Sequence, residues 1–99
     1  MKLVFIVYND YVNPQVMDLL AAHGIDYYTR WEQVLGKGHG TEPHIGLGTY
    51  ASTNAVLMIA FEDDALLEAV IRSITGANQE IQRAEDHIRL FQLPLERIV

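Results

Sequence analysis

The sequence predicts an α+β fold, a single two-layer sandwich of order βαββαβ in which two helices cover one face of an antiparallel sheet. Three observations carry this expectation. Leu3 to Tyr8 and Ala55 to Phe61 are apolar without a break, as strands flanked on both edges or covered on both faces are. Ile25 to Leu35 and Ile88 to Leu93 only alternate, as outer strands do. The stretches that link the first strand to the second, and the third to the fourth, repeat apolar residues at helical spacing and carry start and stop signals.

Along the chain, Asn13 is placed to cap the first helix, and Pro14 fits the first helical position, where its missing N–H costs nothing. Val12 and Met17 have the spacing of a hydrophobic staple. Val16, Leu19 and Leu20 share one face up to about His23; Gly24 then supplies a left-handed stop, with Ile25 folding back on Leu20. In the second strand Tyr27, Thr29 and Trp31 fall on one side and Tyr28, Arg30 and Glu32 on the other, which suits a sheet edge or a subunit contact. Glu62, Asp63 and Asp64 precede Leu66, Leu67, Val70, Ile71 and Ile74, and one of the two aspartates is expected to cap this second helix. Gly76 can end it, or the stripe through Ala77, Ile81 and Ala84 can prolong it or start another short helix. Pro94 closes the last strand, at an edge where proline is tolerated.

This order is that of the ferredoxin-like split motif. Right-handed crossovers put its first and third strands in the sheet centre, in agreement with their unbroken apolar character. With both helices on one face, the other face needs a partner, and Tyr27, Tyr28 and Trp31 make assembly of several copies the economical solution.

Ninety-nine residues fit one domain, spanning 1–99, and 49% hydrophobic with 20% charged residues is a globular composition. A net charge of −6, with seven scattered basic residues, argues against nucleic acid as a partner. The absence of cysteine removes disulfides, thiolate nucleophiles and zinc–thiolate sites, and fits a reducing cytoplasm. The apolar start is too short for a signal peptide and no run approaches a membrane span, so a cytoplasmic protein without membrane insertion is expected.

The glycine-rich connection over residues 36–53 holds five of the seven glycines and two of the four histidines, which makes it the expected functional segment. Gly36, Lys37 and Gly38 could offer backbone N–H groups to an anion, although the segment opens no helix and matches neither the dinucleotide fingerprint nor a Walker loop. The bland alternative is that these glycines merely permit tight turns. His39, Glu42 and His44 could bind a divalent metal through two imidazoles and a carboxylate; the alternative is two solvated loop histidines. The carboxylates from Glu62 to Asp64 are explained by capping, and Glu85-Asp86-His87 reads as a polar turn. No nucleophile–histidine–acid arrangement is visible, so a non-enzymatic protein is expected.

Several segments together resemble one family. Phe91-Gln92-Leu93-Pro94-Leu95-Glu96-Arg97-Ile98 is similar to the closing F-x-L-P-V-E-x-V segment of the nitrogen-regulatory P-II signal-transduction proteins. Leu20-Ala21 to Gly24-Ile25, then Thr29, Glu32, Val34 and Gly36-Lys37-Gly38, resemble that family's L-A-x-x-G-I, T, E-V and G-F-G; Gly38 to Glu42 is similar to the G-H-T-E of its regulatory loop, and Ser73 to Gly76 falls where the family has R-T-G. The resemblance implies a homotrimer that senses a small ligand, an adenine nucleotide in the family, at subunit boundaries. It also implies a loop that addresses a regulated transporter or enzyme. Carried over by match, Thr29, Gly36, Lys37 and Gly38 would border the ligand cleft. The chain departs where the family has a lysine- and glycine-rich phosphate turn: Ala77 to His87 is acidic here and lacks glycine. It also ends at Val99, before the family's C-terminal arginines, and His44 stands where some members carry a modified tyrosine. An altered ligand is therefore expected. The alternatives are a divalent-metal tolerance protein using the loop histidines and a small dimeric α+β barrel enzyme.

Overall fold

The computed structural model describes residues 1–39 and 53–99. Its elements are β1 (Lys2–Asn9), a 3₁₀ turn (Asp10–Val12), α1 (Asn13–Ala22), β2 (Thr29–Val34), β3 (Asn54–Phe61), α2 (Asp64–Gln79), a second 3₁₀ turn (Ala84–Asp86) and β4 (Arg89–Pro94). The strands form one sheet in the order β2-β3-β1-β4, and every pairing is antiparallel. The expected α+β sandwich is thus present, with the two unbroken apolar strands at the centre.

Period-two burial explains why those strands read as unbroken. Val4, Ile6 and Tyr8 of β1 and Ala55, Leu57, Ile59 and Phe61 of β3 are buried in one core with Val16 and Leu20 of α1 and Leu67, Val70 and Ile74 of α2. The alternate residues, Leu3, Phe5 and Val7 with Val56, Met58 and Ala60, are apolar too but lie on the opposite face. Register extends that face to the edges: Phe5 sits opposite Met58 and Phe91, and Leu3 opposite Leu93. Trp31, Phe91 and Leu93 remain 46%, 56% and 48% exposed on the outer strands. The sheet therefore has one packed face and one apolar face left open among the described residues.

The first helix starts differently from the sequence expectation. The chain is already helical from Asp10, so the capping residue is Asn9, whose Oδ1 accepts from the Tyr11 N–H at 3.0 Å. Asn13 lies inside helical backbone, and its Oδ1 instead accepts from the Tyr8 hydroxyl at 2.7 Å. The ending is as expected: Gly24 has φ +74°, Ile25 N–H donates to Leu20 O and Gly24 N–H to Ala21 O, the two bonds of a Schellman stop. Asp63 caps α2 by accepting from Ala65 and Leu66 N–H. This helix passes through Gly76 to Gln79, where Ala77 still packs on the core.

The second strand is shorter than the alternation suggested, and Tyr27 and Tyr28 precede it. It also carries a β-bulge. Trp31 pairs with Val56 but Val34 pairs with Asn54, so β2 has one residue more than β3 over this span. Gln33 absorbs the extra residue at φ +57°, in the left-handed region. Val34 is thereby returned to the face that Trp31 occupies. No helix among the described residues is long and apolar enough to cross a membrane.

Candidate functional site

A cleft of about 330 Å³ opens at one end of the sheet, between the residues that follow β2 and the turn that enters β4, across the end of β1 and the start of β3. Its walls are the loop root from Val34 to Gly38, the turn residues Glu85 and His87, and Arg89 and Phe91 of β4. Val7, which pairs with Arg89 and Val56, forms part of the floor, so the cleft runs into the open apolar face.

The loop root is fixed by close packing. A Cβ added at Gly36 would stand 2.2 Å from Asn54 Nδ2, so only glycine lets the chain pass the β3 start without displacing that amide. The returning end is held by the 3₁₀ turn that follows β1: Asp10 N–H donates to Thr53 O at 2.9 Å, and the Thr53 hydroxyl donates to the Asp10 carboxylate. The start of the expected loop thus packs against the beginning of β3, and its end is bonded to the turn that follows β1. The residues between Gly40 and Ser52, with the remainder of the predicted regulatory loop, lie outside the described residues.

The opposite wall is braced from within. Asn9, a 3% exposed polar residue at the end of β1, donates through Nδ2 to Asp86 Oδ1 at 2.9 Å. Arg83 bonds the Glu85 carboxylate and lies 3.9 Å from Asp86, so the acidic turn is a compensated cluster. The main-chain N–H groups of Asp86, His87 and Ile88 donate to Arg83 O, Ala84 O and Asn78 Oδ1. His87 Nε2 bonds the Ile81 carbonyl at 2.9 Å; a carbonyl can only accept, so Nε2 carries the proton.

Two cations give the cleft its charge. Lys37 Nζ donates to Gly38 O at 3.3 Å, and among the described residues neither Lys37 nor Arg89 is paired with a carboxylate. Tyr8 also borders the cleft, but burial pushes its hydroxyl up to about 12, against the weaker opposing pull of Arg30, so it stays neutral and is no base.

Of the residues singled out in the sequence, Gly36, Lys37 and Gly38 line this cleft. Thr29 stands apart at the start of β2, exposed and opposite Met58 on the open face. His39 is exposed just beyond Gly38, whereas Glu42 and His44 lie outside the described residues. Among the described residues no three His, Asp or Glu side chains are grouped to hold a metal. Sequence reading missed Asn54, Glu85, His87 and Arg89 as site residues. Arg89 in particular read only as a polar position in an alternating strand, and it is the β1–β4 register that brings it beside Val7 and the cleft.

A family model described as nitrogen regulatory protein P-II matches residues 1–99. The chain belongs to the P-II family. No curated protein gives a significant match to this P-II chain. Among solved structures, CPII from Thiomonas intermedia K12 bound to ADP and bicarbonate is 16% identical, with TM-score 0.68 over 97% of this chain and 88% of that one. The CPII structure bound to ADP, AMP and bicarbonate, described as a nitrogen regulatory PII-like protein from the same organism, is 15% identical, with TM-score 0.65 over 92% of this chain and 86% of that one. At such identities the likeness speaks for the fold. Neither the metal-tolerance nor the dimeric-barrel alternative gains support from these matches.

Adenine nucleotides are the ligands the family resemblance implies, and the cleft fits them only in part. Lys37 and Arg89 suit an anionic group, and Val7 and Phe91 offer apolar surface. The turn, however, has spent the three N–H groups of Asp86, His87 and Ile88 on internal partners.

Proposed function

We propose that this P-II chain is a non-catalytic regulatory protein that binds an adenine nucleotide or a related small anion in the cleft between the loop root and β4. The observation that carries the reading is the convergence of Lys37 and Arg89, from segments 52 residues apart, on one cleft at the root of the loop. A homotrimer is part of the same reading. The open face around Phe5, Trp31, Phe91 and Leu93 needs cover, and the cleft runs into that face, so a neighbouring copy would complete it. Thr29, which lies on the open face, would then belong to the site by way of a second subunit. The loop over residues 36–53 is the segment that would address a regulated transporter or enzyme in the cytoplasm. A ligand would act on it only through differential affinity for two loop states.

Light scattering and titration calorimetry test this together. A mass of three chains and saturable binding of an adenine nucleotide, lost in Arg89→Gln, are expected. A protein of the right mass that binds no nucleotide and no small anion would remove the ligand-sensing reading.

A further inference from the structure

We infer that the cleft takes a ligand presenting one compact anionic group, and that it discriminates against polyphosphates. This rests on the reading that the cleft is the ligand site. A phosphate chain is held by rows of oriented N–H groups or by clustered cations. In the turn that enters β4, the N–H groups of Asp86, His87 and Ile88 are all committed to Arg83 O, Ala84 O and Asn78 Oδ1. His87 commits its Nε2 proton to Ile81 O, so that donor is not offered to an anion. Glu85 brings a carboxylate to the wall, and the Arg83 charge is engaged in holding it.

Among the described residues two cations remain for the ligand, Lys37 from the loop root and Arg89 from β4. An Arg fork and an ammonium match a single carboxylate, bicarbonate or phosphate group well. A second and third phosphate would find the N–H groups of Asp86, His87 and Ile88 already committed and would meet the Glu85 carboxylate. The turn therefore sets the selectivity by what it withholds.

Calorimetry on the full chain at fixed ionic strength separates the outcomes, using AMP, ADP, ATP and inorganic phosphate, with and without Mg²⁺. The expected order is AMP at least about tenfold tighter than ATP, which corresponds to ~1.4 kcal/mol. Arg89→Gln should lose at least tenfold for AMP, with Arg89→Lys between the two and an unchanged scattering mass showing that assembly survives. Binding of phosphate alone, dependent on Arg89, also supports the inference. ATP binding as tightly as AMP, still dependent on Arg89, overturns it and leaves the cleft reading in place. If no probe binds the correctly assembled protein, the cleft reading fails and this inference with it.

Discussion

The side-chain amide of Asn78 pairs with both main-chain groups of Ile88: Nδ2 donates to Ile88 O at 2.8 Å, and Ile88 N–H donates to Asn78 Oδ1 at 2.7 Å. One residue near the end of α2 thus supplies what a neighbouring strand would supply, and holds the chain at its entry into β4. Removing the amide leaves a donor and an acceptor of a buried residue unmatched. Asn78→Ala should therefore cost about 2 to 3 kcal/mol in urea unfolding, from two bonds with buried partners. Asn78→Asp should be no better, because a carboxylate keeps the acceptor but faces the Ile88 carbonyl with no proton. A loss under about 0.5 kcal/mol would show that the turn holds itself.

Gly36 and Asn54 form a second coupled pair. Gly36→Ala places a methyl where the Asn54 amide lies, and is expected to cost about 1 to 3 kcal/mol as overpacking does. Because the blocking atom is the end of a side chain, Asn54→Ala should rescue most of that loss in the double variant. Additive losses in the double-mutant cycle would mean that the two positions do not meet.

The left-handed Gln33 gives the bulge a testable cost. A non-glycine residue pays about 1 to 2 kcal/mol in that region, and glycine returns part of the gain through its freer unfolded chain. Gln33→Gly should be neutral or stabilising by up to about 1 kcal/mol, whereas Gln33→Val should destabilise by a similar amount. The opposite ranking would place the extra residue of β2 elsewhere.

Tyr8 should make stability fall at alkaline pH. Its hydroxyl is raised from 10.0 to about 12 by burial, so between those values the unfolded chain gives up the proton while the folded chain keeps it. Stability from this group is whole below pH 10 and declines as pH rises towards 12, by at most about 2.7 kcal/mol. Tyr8→Phe should flatten that decline while costing about 1 kcal/mol at neutral pH through the lost bond to Asn13. Ultraviolet difference absorbance should show a late-titrating tyrosine component that Tyr8→Phe removes. An unchanged alkaline slope in Tyr8→Phe would assign the loss to other groups.

The sequence by itself determined the element order and the central position of β1 and β3, because strands apolar on both faces cannot sit at a wet edge. Gly24 and Ile25 also fixed the end of α1 in advance, since a Schellman stop is built from consecutive residues. Caps were less legible: Asn13 has the right side chain, but the 3₁₀ turn in front of it moved the true cap to Asn9. Tertiary structure alone decided the site. Lys37 lies in a glycine-rich segment that stands out in any reading, but Arg89 and His87 look like an ordinary strand and turn. They become part of a cleft only through pairing between β1 and β4. The same holds for the donors of the turn, whose availability depends on Asn78, Ala84 and Arg83. A sequence names donors and acceptors, but distant partners decide which of them are left over for a ligand.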